Sequence, residues 1–335
     1  MKRLLVLGLA GLVAACQTPG YDYSGRAAPN YPAALDYTDV VTGRFDGPAG
    51  DVAEAGFDAL IRSAELEGRP WFIVMDPDRP QGRYTGGVAV MSYRGEVRRE
   101  TERRCVEYDA PFDCERRAVV ESECLKEIVD VEVTATLVDI ASNRPVFTSA
   151  KGATTEREDC YDVGEYPDTD QPTGTAGSTI HETYNPYDAP YGMIRDAVPE
   201  AVRLFRFDIA PYIANFRAEI VTKPLTGEEK GDGRFAAAVK ATRQGNFLGA
   251  CAQWDELAAA YPNAPGILHN QGACAEARGN LPEAHSQYAR AAELARAIPL
   301  LKEKDAKPIF DALERVNRGR YDNSLIDRAK DTGGS

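Results

Sequence analysis

The sequence predicts an α+β domain, an antiparallel meander sheet with helices on one face, followed by an all-α helical repeat domain. Three observations carry this. Val129, Val131, Val133, Ala135 and Leu137 alternate with Asp130, Glu132, Thr134 and Thr136, a period of two that gives a strand one apolar and one polar face. Ile194, Val198, Val202, Phe205, Ile209 and Ile213 recur at helical spacing, which gives a helix one apolar side to lay on that sheet. Gly245 and Gly279, Ala250 and Ala284, and Trp254 and Tyr288 each lie 34 residues apart, the mark of a stacked helical repeat.

The chain opens with Met1-Lys2-Arg3, an apolar run over residues 4–13, and Val13-Ala14-Ala15-Cys16. A basic start, a short apolar segment and small residues before a cleavage point make a secretory signal. The apolar run is too short to span a bilayer as a helix. With the cysteine directly after the small residues, the stretch resembles the bacterial lipoprotein signal, the lipobox. That resemblance implies a signal peptide over residues 1–15, a diacylglycerol on the Cys16 sulfur, and an acylated mature N-terminus. Gln17, where Asp would imply retention in the inner membrane, directs the expectation to the outer membrane, with the folded part facing the periplasm. The expected membrane partner is therefore the lipid bilayer, through acylated Cys16.

The 335 residues carry a formal net charge of -13, and removal of Lys2 and Arg3 with the leader makes the chain more acidic still. That balance argues against a nucleic-acid partner. Two or more acyl chains, rather than net charge, are then what holds it on a membrane.

Residues 16–36, rich in turn formers and without apolar periodicity, read as a flexible tether. The α+β domain is expected over 37–222. A strand over 39–45 precedes a helix from Asp51 to about Glu67, with Ala55, Leu60, Ile61 and Ala64 on one side. Gly68-Arg69-Pro70 stops it, and residues 71–75 read as a short buried strand. Long extended segments follow over 87–108, 116–140 and 145–158, joined by turns at 108–111 and 141–144. Residues 159–192, dense in Gly, Pro, Asp, Thr and Tyr, read as a mobile insertion. Asp168 and Asp170 within it lack the spacing of a calcium loop. The amphipathic helix is expected over 193–216, kinked by Pro199 and Pro211, and residues 218–221 as a last strand. This element order resembles the small periplasmic domains of the curli-secretion channel and of flagellar accessory lipoproteins. Residues 98–104, charged on both faces of an extended segment, cannot supply the apolar outer face of a membrane barrel.

Seven cysteines are present; setting aside Cys16 leaves six, an even number that suggests disulfides in an exported chain. In an antiparallel hairpin, facing residues sit symmetrically about the turn. A turn centred between Asp109 and Ala110 places Cys105 opposite Cys114. A turn centred between Ser142 and Asn143 places Cys124 opposite Cys160 within one residue. Zinc is not expected, because no C-x2-C pair occurs and His181, His269 and His285 do not flank the cysteines at ligand spacing.

A polar linker, residues 223–232, leads to the repeats. The run Leu268-x3-Gly272-x6-Gly279-x4-Ala284-x3-Tyr288-x2-Ala291 resembles a tetratricopeptide repeat, with Gly245, Ala250 and Trp254 as the matching positions of a preceding copy. The resemblance covers about residues 231–298 and implies two helix pairs within 233–317, a capping helix from about 307, and a frayed tail over 318–335. It also implies that Cys251 and Cys274 lie on neighbouring helices, where a disulfide and two buried thiols both fit. By repeat position, the peptide-groove candidates are Phe235, Val239, Arg243, His269, Asn270 and Ala273. Arg243 and Asn270 are suited to a carboxylate or a peptide backbone.

No G-x-S-x-G, H-E-x-x-H, Walker or dinucleotide motif occurs, so no catalytic residue and no cofactor or metal is expected. The expected function is a non-enzymatic interaction scaffold in assembly or stabilisation of an envelope complex, with an envelope protein as partner. A ring or pore subunit of an outer-membrane export apparatus is the alternative, and an envelope hydrolase the second.

Overall fold

The computed structural model describes residues 18–73, 80–110, 113–167 and 174–333. Cys16 and the leader lie outside the described residues, as do Asp168 and Asp170. The chain divides into two compact units, one of residues 29–210 and one of residues 1–28 with 211–335.

The 29–210 unit is built on a long sheet. Strands β2 (Val40–Asp46), β5 (Gly82–Ala110), β6 (Asp113–Asp139) and β7 (Arg144–Pro167) follow in that order, and β8 (Gly174–Tyr184) also pairs with β5. The β5–β6–β7 meander is antiparallel, whereas β2 runs parallel to β5. Strand β2 covers the β5 edge at Gly82–Gly87, and β8 covers the same edge at Tyr93–Thr101. The expected mobile insertion is thus sheet on both sides of residues 168–173. Main-chain pairing over the edges of β6 and β5 outweighs the weak strand preference of its Gly- and Asp-rich composition.

Helices α1 (Gly50–Ser63) and α2 (Tyr191–Leu204) bury Ala53, Phe57, Ile61, Ile194, Val198 and Val202. The apolar face of β6, from Val129 to Leu137, is fully buried as the alternation predicts. Phe57 sits at the centre of an aromatic cluster, with the rings of Phe45, Tyr84 and Phe205 at 5.0–5.4 Å. The expected 71–75 strand is not one where it is described: Trp71 and Phe72 are buried in irregular chain. It follows a two-residue bridge between β3 (Glu65–Leu66) and β4 (Arg69–Pro70). The helix expected over 193–216 stops at Leu204 and is followed by the four-residue α3 (Arg206–Ile209). Pro211 has no N–H to continue a helix, and the chain turns extended. Asp208 on α3 is fully buried, accepting from Asn30 Nδ2 (2.7 Å) and Ser149 Oγ (2.6 Å) and pairing with Lys151 Nζ (2.7 Å), the partners a buried carboxylate requires.

The second unit is a helical array with a two-stranded ribbon. Residues 20–27, expected within the tether, form β1 (Gly20–Ala27), which pairs antiparallel with β9 (Tyr212–Glu219) from Gly20↔Glu219 to Ala27↔Tyr212. Helices α4 (Gly233–Arg243), α5 (Phe247–Ala260), α6 (Pro265–Ala277) and α7 (Leu281–Arg296) form two pairs, and α8 (Glu303–Gly333) closes the array. The tail expected to fray is helical through Gly333, with Ile326 fully buried and Asn323 and Asp327 accepting from Arg26.

The 34-residue spacing marks equivalent positions. Gly245 and Gly279 both end their helices with positive φ, +71° and +78°, the left-handed conformation that favours glycine. Asn246 and Asn280 then cap the next helices from their side chains. Ala250, Ala284, Trp254 and Tyr288 are all fully buried. A Cβ on Gly272 would lie 2.8 Å from the Tyr288 ring, so the aromatic needs the missing side chain.

Three disulfides are present: Cys105–Cys114, Cys124–Cys160 and Cys251–Cys274. The first lies near the β5–β6 turn, where bulges set Cys105 opposite Arg117 and Cys114 opposite Tyr108 instead of opposite each other as turn symmetry predicts; the second links directly paired residues of β6 and β7, and the third links α5 to α6. Among the described residues no helix is long and apolar enough to cross a membrane.

Candidate functional site

Five of the six residues expected to line a peptide groove are core residues. Phe235, Val239, His269, Asn270 and Ala273 are buried, and Arg243 alone is exposed. The chain's own β1–β9 ribbon covers that face of the array. Asn270 does read a peptide backbone, but an internal one: Val221 N–H donates to its Oδ1 at 2.7 Å, and its Nδ2 donates to Val221 O at 2.9 Å. His269 Nε2 lies 2.9 Å from Glu219 O. Phe235 packs edge-on against Trp254 at 5.2 Å. An open groove is therefore not what these residues form. Strand pairing between residues about two hundred positions apart leaves no periodic trace that would have shown the face to be occupied.

The same ribbon carries a buried polar cluster. Tyr21 lies 2.9 Å from Thr242 Oγ1 and accepts from Trp254 Nε1 at 3.2 Å. Glu276 is fully buried and accepts from Tyr23, from Tyr288 at 2.6 Å, and from Arg315 through two bonds of 2.7 and 2.8 Å. Burial, then the carboxylate, raises the Tyr23 phenol. Burial works against the Arg315 guanidinium, but the bonds to Glu276 raise its pKa overall. Every donor and acceptor named here has a partner within the unit, the pattern of a structural joint.

The surface that remains available lies on the sheet. Beyond Val129 the buried stripe of β6 turns acidic on the same face, with Glu127, Glu123 and Glu121 around Leu125. A bulge at Met91 brings Tyr93, Gly95 and Val97 of β5 onto that face as well, and the register adds Tyr161 of β7 and Ile180 and Tyr184 of β8. Each β6 carboxylate there is held by a tyrosine and an arginine. Tyr93 and Arg157 donate to Glu127. Tyr161 donates to Glu123 at 2.5 Å and Arg99 at 3.0 Å. Tyr166 donates to Glu121 at 2.9 Å, with Arg99 Nη1 at 3.9 Å. Hydrogen bonds from Tyr161 and Arg99 hold the Glu123 carboxyl below the ordinary range. Burial alone would raise Glu127, but Tyr93 and Arg157 outweigh it. Tyr93 is pushed up to about 12, first by burial and then by Glu127.

Cross-strand ion pairs occupy the opposite face: Arg94–Asp130 (2.7 Å), Lys126–Glu156 (2.8 Å), Arg98–Glu158 (2.9 Å) and Arg104–Asp162. Together with the two sheet disulfides they stiffen these long, charged strands. Every residue of β7 from 156 to 163 is exposed, with Tyr161 at 55 % and Ile180 on β8 at 56 %. This is a surface of tyrosines, arginines and aliphatic side chains whose β6 carboxylates are already bonded. Rigid aromatic and Arg-rich surfaces with paid-up polar groups suit protein contact. The signal was present in the sequence as the continuing odd-numbered positions of β6. The bulge at Met91 was not, and without it Tyr93 and Val97 fall on the wrong side.

Cys124, Glu158 and Cys160 have their ligand atoms within 4.8 Å of one another, but both sulfurs are bonded to each other. An open hollow of about 400 Å³ beside α1 is lined by Thr42, Asp51, Glu54, Ala55 and Asp58, with no histidine, cysteine or lysine.

No family model matches the sequence, and no curated protein matches it. Seven solved chains match it, two of them as follows. One is a candidate lipoprotein from Caulobacter crescentus, 15 % identical with a TM-score of 0.21, spanning 53 % of this chain and 92 % of that one. The other is a PelC dodecamer from Paraburkholderia phytofirmans, 12 % identical with a TM-score of 0.20, spanning 55 % of this chain and 97 % of that one.

Proposed function

We propose that this chain is a lipid-anchored, periplasm-facing envelope protein that acts as a non-enzymatic interaction scaffold. Its leader and Cys16 supply the address, and the Tyr–Glu–Arg face of the sheet supplies the contact. That face is the observation that carries the reading. It is stiffened by disulfides and cross-strand pairs, it exposes aromatic and aliphatic side chains, and its polar groups are internally bonded, so docking costs little desolvation or ordering. The helical unit's expected groove is filled by its own ribbon.

The test is crosslinking in intact cells with a photoreactive residue at Tyr161, compared with the exposed Glu54 on α1. One dominant envelope protein captured from position 161 and not from 54 is the expected result. The same diffuse products from both positions would remove the sheet face as the contact. Retention in the membrane fraction, lost on Cys16→Ser, tests the anchor separately.

A further inference from the structure

The start of β1 limits how far the helical unit can stand from a bilayer. Only Gln17 separates Cys16 from Thr18, a reach of about 7 Å between the two Cα atoms. Order begins at once: Arg217 Nη2 donates to Thr18 O at 3.0 Å, and Ile220 N donates to Pro19 O at 2.9 Å. The stand-off that a flexible segment over 16–36 would have given does not exist.

Strand β1 also measures which end of the array is near the anchor. Tyr21 meets Thr242 at the end of α4 and the Phe247 ring at the start of α5, with centroids 5.1 Å apart. Tyr23 meets Glu276 on α6, and Arg26 meets Asn323 and Asp327 on α8. From Tyr21 to Arg26 the strand advances about 17 Å. The first helix pair is therefore the anchor end and α8 the far end.

What α4 exposes is unlike the rest of this acidic chain. Its eleven residues contain Arg234, Lys240 and Arg243 and no acidic residue, with Ala236 and Ala237 between them on the exposed side. Arg234 is bound to Asp232. Among the described residues the side chains of Lys240 and Arg243 make no ion pair. Just past the α4–α5 turn, Leu248 is 79 % exposed.

We propose that the exposed side of α4 and the α4–α5 turn, through Lys240, Arg243 and Leu248, rest on the phospholipid surface that holds acylated Cys16. Lipid phosphates neutralise the two cations, and Leu248 enters the boundary between headgroups and acyl chains, as short amphipathic surfaces do. The net acidity of the chain repels the remainder, so the contact orients the helical unit on the membrane. This inference rests on the lipid-anchor reading above.

The experiment uses the full acylated chain in phosphatidylcholine–phosphatidylglycerol vesicles whose acyl chains carry bromine near the glycerol end. Leu248→Trp reports from the proposed contact, and Tyr321→Trp, on exposed α8, from the far end. The native Trp71 and Trp254 are both buried and form a constant background. The expected result is loss of the added emission at 248 with none at 321, and recovery of the 248 signal in the Lys240→Glu, Arg243→Glu variant. Vesicle flotation with equal quenching at the two positions overturns the contact while leaving the anchor intact, as does quenching at 248 unchanged by charge reversal. Failure to float, with an unmodified Cys16 by mass, overturns the anchor and this inference with it.

Discussion

Asn270→Ala isolates the contribution of one side chain to the ribbon's place on the helices. Asn270 is fully buried, and its amide answers both backbone groups of Val221, which is itself 7 % exposed. Truncation leaves a buried N–H and a buried C=O without partners, at about 1–3 kcal/mol each. The two groups together set the expected loss at about 2–6 kcal/mol. Urea unfolding with disulfides intact reads this through Trp254, whose Nε1 donates to Tyr21 in the same unit. Trp71→Phe removes the only other tryptophan. Arg243→Ala, exposed on α4, is the control and should stay within about 0.5 kcal/mol of the parent. Amide exchange at Val221 should quicken in the Asn270 variant. A loss no larger than the control, with the Val221 amide still protected, would refute the claim that Asn270 clamps the strand.

Two further predictions concern charge in the same unit. Burial depresses His269 from about 6.5 to about 4, so between those values the unfolded chain takes a proton that the native state refuses. Stability is then full above pH 6.5 and falls by about 3 kcal/mol as pH drops through the window; His269→Gln should flatten that slope in Trp254-detected urea titrations. Arg315→Met leaves the fully buried Glu276 carboxylate without its cation and should cost about 3–5 kcal/mol. Breaking the exposed Arg290–Glu293 pair should cost less than about 1 kcal/mol, and equal losses from the two would discount the buried pair.

What the sequence by itself determined is local or evenly spaced. The alternation along β6 marked its buried face, and turn symmetry placed Cys124 opposite Cys160; it also named the Cys105–Cys114 bond, although bulges set those two residues opposite Arg117 and Tyr108. The 34-residue interval found the helix pairs, because Gly245 and Gly279 must adopt positive φ and Trp254 and Tyr288 must fill equivalent gaps. The same reading placed the ends of α2 and the sheet poorly. A bulge at Met91 and pairing over the edges of β5 and β6 are settled by main-chain bonds between segments, not by residue pattern.

The candidate site divides the same way. Glu121, Glu123 and Glu127 share the parity of Val129 and were legible on one strand. The partners that make them a surface, Tyr93, Tyr161 and Arg157, come from neighbouring strands and required the register. The N-terminal segment is the sharpest case. Residues 20–27 have the composition of a tether, yet Tyr21, Tyr23 and Arg26 each find a partner on a different helix of the C-terminal array. Only tertiary structure could decide this, because the free energy that orders the strand comes from contacts with residues about two hundred or more positions away.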